Sequence, residues 1–118
     1  MEIESGNLDQ LAISQPEKKG WFVGSFIEQE SLRNSDKCEV KWAKHQKGLK
    51  KIAGQNLKDN CRSVVILISG RWLTRFTDNN QEIILSKPGD YLVYQDGCHE
   101  NEALEDSCVI VIRWPTQN

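Results

Sequence analysis

The 118-residue sequence has a formal net charge of −2, with 27% charged and 38% hydrophobic residues, the balance of one folded domain rather than a disordered chain. That charge gives no general attraction to nucleic acid or an anionic membrane, and no apolar run approaches the roughly 18 residues needed to span a bilayer. The polar, acidic start Met1-Glu2-Ile3-Glu4-Ser5 does not resemble a signal peptide, so the expected compartment is the cytoplasm. Residues 1–19 are polar apart from Leu8, Leu11, Ala12 and Ile13, and read as an N-terminal arm that docks on the rest, by one short strand at most. Residues 20–118 read as a single domain. It opens with a strand, Trp21-Phe22-Val23-Gly24-Ser25-Phe26-Ile27, in which Gly24 marks a bulge or close backbone approach. A polar turn, Leu32 to Lys37, leads to Cys38-Glu39-Val40-Lys41-Trp42-Ala43-Lys44-His45. There alternation sets Val40 and Trp42 on one face and Lys41, Ala43 and His45 on the other.

Four lysines and two glycines in 47–60 argue against a helix and for a long hairpin or a loop over a rim. Val64-Val65-Ile66-Leu67-Ile68 has no polar alternation and reads as a strand covered on both faces. After Gly70, Arg71-Trp72-Leu73-Thr74-Arg75-Phe76 alternates basic with apolar residues. Asp78-Asn79-Asn80 turns it back into Glu82 to Ser86. Pro88-Gly89 has the chemistry of a type II turn, Tyr91-Leu92-Val93-Tyr94 that of a strand, and Asp96-Gly97 that of a second turn delivering His99. An acidic loop, Glu100 to Asp106, precedes the apolar strand Cys108 to Ile112, and Pro115 ends the domain. Seven or eight short strands without a confident helix predict an all-β sandwich or small barrel.

Gly89 to His99 resembles the second motif of the cupin superfamily, G-x5-P-x-G-x2-H-x3-N, with Gln95 in place of the proline and one residue fewer between Gly97 and His99. Val64 to Gly70 resembles the close of the first cupin motif. Trp21 to Phe26, Val40 to His45 and Arg113 to Pro115 are similar to the W-F-x-G-x-F, V-x-W-x-x-H and R-W-P stretches of small, stand-alone cupin-like proteins. The resemblance implies a cupin-like double-stranded β-helix, a jelly-roll barrel. It also implies a divalent metal held by an H-x-H pair and a Glu of the first motif together with the His of the second. Counted back from Gly70, the Glu position falls on Ser63, and the His positions fall on Asn56 and Lys58, or on Leu57 and Asp59. Only His99 matches, whereas such an ion needs three or four ligands. A divalent metal is therefore disfavoured, Asp59 and Cys98 being at best improvised donors, and no cofactor is expected.

The candidate ligand-binding residues are His99, His45, Trp42, Arg71, Arg75 and Tyr94, each with a plainer reading beside it. His99 suits a pocket acid or base, or a turn histidine bonded to backbone. His45 shares its face with lysine, as a solvated rim histidine would. Trp42, Trp72, Tyr94 and Trp114 suit a pocket floor or an ordinary core. Arg71 and Arg75, on one strand face, suit a clamp for carboxylate or phosphate, or a surface pair. Cys98 and His99 are adjacent and point to opposite sides of an extended chain, which disfavours a thiolate–imidazole pair. The four cysteines, Cys38, Cys61, Cys98 and Cys108, have no C-x-x-C spacing and are expected as free thiols.

The expected partners are a small-molecule ligand in the barrel and a second copy of the chain. Strands 64–68 and 108–112 are apolar at both parities and need outer cover, for which the arm, through Leu8, Leu11 and Ile13, is the rival. The alternative function is a non-catalytic cupin-like module with a protein-interaction or sensory role.

Overall fold

The computed structural model describes residues 1–53, 61–95 and 99–116. Among them are nine strands: β1 (Trp21–Val23), β2 (Glu39–His45), β3 (Lys50–Ala53), β4 (Cys61–Ser69), β5 (Trp72–Phe76), β6 (Gln81–Leu85), β7 (Tyr91–Gln95), β8 (His99–Ala103) and β9 (Ser107–Pro115). They pair antiparallel in two sheets, β1-β2-β9-β4-β7 and β3-β8-β5-β6. Ala43, Val65, Leu67 and Val109 from the first sheet meet Trp72, Leu85 and Ala103 from the second in one core. The expected all-β jelly-roll barrel is the fold observed.

Two turns hold this arrangement. Gly89 takes φ +92°, as a type II turn requires. The Asp90 carboxylate accepts from the Ser86 and Lys87 N–H groups at 3.0 Å each, and these bonds hold its carboxyl below the ordinary range. Gly70, also at φ +92°, lies so close to Asp106 and Ser107 that a Cβ there would overlap them. Ser107 Oγ closes that corner, accepting from Arg71 N at 3.0 Å and donating to the Glu105 carbonyl at 2.7 Å.

Several elements differ from their sequence expectation. Strand β4 is fully buried on one face only: Ser63, Val65 and Leu67 are buried, whereas Val64 and Ile66 on the other face are half-buried and Ile68 is 39% exposed. The expected acidic loop begins as strand β8, paired to β3 on one edge and β5 on the other. Its acidic residues face outward, where the Arg75 guanidinium meets Glu82, Glu100 and Glu102 at 2.8, 2.9 and 3.3 Å. Trp72, Thr74 and Phe76 of β5 point the other way, into the barrel, and Arg71 precedes the strand as an exposed turn residue.

The arm forms a helix, α1 (Leu8–Ser14), rather than a strand. Asn7 caps it by accepting from Gln10 N at 3.0 Å. Leu8, Leu11 and Ala12 lie against Phe22 and Trp42. Asp9 accepts from Trp42 Nε1 at 2.8 Å and from Lys44 Nζ at 3.0 Å. The helix covers only this end of the sheet, and Ile13 stays 72% exposed. Beyond it two apolar rows cross the outer face, Val40-Ile112-Val64-Val93 and Trp42-Ile110-Ile66-Tyr91. Tyr91 and Val93, at the far end, are 67% and 48% exposed.

Cys38, Cys61 and Cys108 are free thiols, and burial pushes the Cys108 thiol up. Cys98, Gly97 and residues 54–60, Asp59 among them, lie outside the described residues. No helix among the described residues is long and apolar enough to cross a membrane.

The hydrogen bonds from Trp42 and Lys44 hold the Asp9 carboxyl below its ordinary value of 3.8. A depressed carboxylate contributes stability that is present above the unfolded value and is lost as pH falls through the folded one. Tryptophan fluorescence is therefore expected to report undocking of α1 below a pH of about 4. In Asp9→Asn that acid transition should vanish, and cleavage of the arm by trypsin at neutral pH should quicken. Unchanged acid behaviour in Asp9→Asn would show that this contact does not hold the helix.

Candidate ligand cavity

The inner face of the larger sheet is polar at one end and apolar at the other. Register places Glu39 beside Arg113, Arg113 beside Ser63, and Ser63 beside Tyr94, one polar row across four strands. Behind it come Lys41, Val111 and Val65, then Ala43, Val109 and Leu67. The smaller sheet adds His99 beside Phe76, then Asn101 beside Thr74, then Ala103 beside Trp72. The sheets leave a cavity of about 200 Å³ between them, lined by both imidazoles, His45 and His99, and by Lys41, Arg113, Trp21 and Tyr94 among others.

Each polar side chain is fixed by a neighbour. Tyr94 Oη lies 3.3 Å from His99 Nε2, and the two rings pack together and against Phe76. Burial raises the Tyr94 phenol above its ordinary range, against the hydrogen bond from Ser63 and the Arg113 charge that lower it. Tyr94 is thus a neutral hydrogen-bonding group at physiological pH. Thr74 Oγ1 donates to Asn101 Oδ1 at 2.9 Å. The His45 ring packs at 5.2 Å against Trp72, whose Nε1 is buried without an acceptor among the described residues. Arg113 donates to Glu39 Oε1 from Nε and Nη2, both at 2.9 Å. Its guanidinium carbon lies 4.4 Å from the centre of the Trp21 ring, and Lys41 Nζ lies 5.6 Å from the same centre.

His99, His45 and Tyr94 therefore come together, joined by Trp72. The β2 face that carries Lys41, Ala43 and His45 is the inner one, and the half-buried His45 is not a solvated rim residue. Trp42 is on the opposite face beneath α1, and Arg71 and Arg75 are outside the barrel, so these three line no part of the cavity. Trp114 has the outward parity of β9. Arg113, Lys41, Trp21 and Asn101 are lining residues absent from the sequence-derived set. The signal for Arg113 was its parity with Val109 and Val111, which the apolar run masked.

This two-sheet barrel with an open polar end is similar to several solved structures. KdgF from a Halomonas species matches at 20% identity with a TM-score of 0.57, over 72% of this chain and 74% of that one. An RmlC-like cupin protein from Desulfovibrio desulfuricans matches at 14% identity with a TM-score of 0.58, over 98% and 94% of the two chains. The chain has a cupin fold. A third cupin match is the Cupin_2 domain of an XRE family transcriptional regulator from Enterobacter cloacae, at 13% identity and a TM-score of 0.55, over 70% and 83%. No protein-family model and no curated protein matches the sequence.

Metal-binding cupins set the test for the inner donors. Ser63 offers a hydroxyl where the resemblance implies a carboxylate, and it is engaged with Tyr94. Among the described residues no group of three His, Cys, Asp or Glu side chains is placed to hold a metal ion. These described residues do not fit the usual cupin ion.

The raised Tyr94 phenol is open to direct measurement. In Tyr91→Phe protein Tyr94 is the sole tyrosine, and its ultraviolet titration is expected at higher pH than that of free tyrosine. Ser63→Ala, which removes a hydrogen bond favouring the phenolate, should move it higher still. An unshifted titration in both proteins would mean a phenol in contact with bulk water.

Proposed function

We propose that this cupin barrel binds a small molecule in the cavity between His45 and His99 and does so without the usual cupin metal ion. The convergence of His45, His99, Tyr94, Asn101, Lys41 and Arg113 on one space of about 200 Å³ between the sheets supports this reading. A few convergent polar groups on an otherwise apolar wall are the mark of a ligand site. The volume is below the roughly 300–1,000 Å³ of drug-sized pockets, so the ligand is small. Tyr94 and His99 supply a hydrogen-bonding pair for a hydroxyl or carbonyl oxygen. Whether binding leads to turnover or to signalling is the division between an enzyme and a sensory module.

The expected result of screening a metabolite library by thermal shift and calorimetry is a ligand whose affinity drops about tenfold in His99→Gln, the worth of one hydrogen bond of about 1.4 kcal/mol. Affinity indifferent to both His99→Gln and Tyr94→Phe would remove the cavity from consideration. Elemental analysis of untagged protein should find well below one zinc, iron, nickel or manganese ion per chain. A stoichiometric ion would instead point to donors outside the described residues.

The protein is further proposed to be a cytoplasmic homodimer joined through the outer apolar rows. Helix α1 covers only the Trp42 end of those rows, leaving Tyr91, Val93 and Ile68 exposed, and two-fold pairing is the commonest cover for such a face. Light scattering at micromolar concentration should give the mass of two chains, and of one chain in Ile66→Glu/Tyr91→Glu. A wild-type mass of one chain, unchanged on concentrating, would exclude the dimer.

A further inference from the structure

One wall of the ligand cavity is held from outside the barrel. Trp21 lines the cavity and also a crevice beneath α1, beside Leu8, Leu11 and Ala12. The strand that carries it is a weak support. Strand β1 is three residues long, stands at the edge of its sheet, and breaks register with β2 between Trp21 and Val23. Arg33 holds it on the free side. Arg33 Nη1 donates to the Phe22 carbonyl at 2.9 Å, and the Arg33 carbonyl accepts from Gly24 N at 3.1 Å, so one residue brackets the end of the strand.

The N-terminal arm in turn fixes Arg33. The Glu4 carboxylate accepts from Arg33 Nε at 3.0 Å, from Leu32 N at 2.7 Å and from Ser31 Oγ at 2.9 Å. Further along, Asp9 ties the arm to Trp42 and Lys44. Around these ties the arm borders a hollow of about 560 Å³ against Phe22 and Arg33 rather than filling it. No residue of α1 is fully buried, and a helix of seven residues is marginal alone. A segment held by exposed polar contacts beside unfilled space opens locally at lower cost than the core.

We infer that the N-terminal arm is a strap that closes the ligand cavity, acting from Glu4 through Arg33 and the Phe22 carbonyl on Trp21. With the strap fastened, Trp21 stands in the cavity wall, its ring centre 4.4 Å from the Arg113 guanidinium. With the strap released, Arg33 loses the carboxylate that orients its guanidinium, β1 loosens, and solvent and small molecules enter past Trp21. The inference concerns access to the cavity and not what binds there, so it stands or falls without a ligand.

Solvent exchange of the Trp72 indole proton, followed by NMR on the full chain, tests it. Trp72 lines the cavity, is 4% exposed, and has no acceptor for Nε1 among the described residues, so its exchange is limited by solvent entry. Loss of one indole signal in Trp72→Phe assigns the resonance. In Glu4→Ala and in Arg33→Gln this exchange is expected to quicken at least about fivefold, while the Val65 and Val109 amides of the core keep their rates. The double variant should be no faster than Arg33→Gln, because the two residues act in one chain. Ile13→Ala, on the exposed side of the arm, should change nothing. Unchanged Trp72 exchange in Glu4→Ala overturns the strap. Equal quickening of the Val65 and Val109 amides does so too, since that is global unfolding. The same quickening in Ile13→Ala, or additive effects in the double variant, would show that Glu4 does not act through Arg33 and would end the inference.

Discussion

The register of β9 is the constraint on which the interior depends. This strand lies between β2 and β4 and pairs with both along most of its length. Its odd-numbered residues, Val109, Val111 and Arg113, face in, and Ile110, Ile112 and Trp114 face out. Both sets contain branched aliphatics, so burial of Val or Ile alone barely distinguishes the two registers. A slip of one residue exchanges every side chain between the faces. What separates them is Arg113: in register it meets Glu39 and Trp21, and out of register it would leave Glu39 without its bonded cation. At the other end the Ser107 hydroxyl pins the same strand, accepting from Arg71 N and sharing its proton between the Arg71 and Glu105 carbonyls around the Gly70 turn. Between these anchors the β4–β9 pairing skips a residue at Ile68, a bulge that turns this side chain to solvent.

The Glu39–Arg113 pair earns little stability on its own. Partly buried ion pairs cost desolvation that offsets much of their attraction, and well-packed apolar replacements are often neutral or better. Lys41 on the inner face of β2 is harder still to explain by packing, since Val or Ile would extend the row of Val111 and Val65 into the sheet. The apolar end, by contrast, is filled to completion: Leu67, Val109 and Ala103 have no exposed surface. The barrel is thus a packed core at one end and an open polar chamber at the other. That division puts the packed core and the polar side chains in separate layers.

Much of the barrel was legible because turns and strands announce themselves locally. Pro88-Gly89-Asp90 needs a positive φ and a carboxylate that caps its own turn, and both are present. Less legible were elements whose polarity is set by distant partners. Strand β8 reads as acidic loop until Arg75, 25 residues upstream of Glu100, is seen to neutralise it. Strand β2 reads with its inner face outward, because Val40 and Trp42 look like core while they in fact belong to the outer rows, Trp42 beneath α1. Helix α1 carried a capping signal, Asn7 three residues before Gln10, but it is only seven residues long and depends on Trp42 for its stability.

The same reasoning explains why the site was half visible. His99 and Tyr94 stand in a recognisable motif, at the adjoining ends of β7 and β8. Arg113 and Trp21 lie 92 residues apart in sequence, and nothing local to either indicates that one ring will carry two cations. Once β1 pairs with β2 at Trp21 and Lys41, and β2 with β9 at Glu39 and Arg113, the four side chains are brought close together. Trp21 supplies a face that both cations approach, and Glu39 takes the guanidinium of Arg113 through one oxygen. The polar end of the chamber is thus assembled by strand pairing rather than by any local motif.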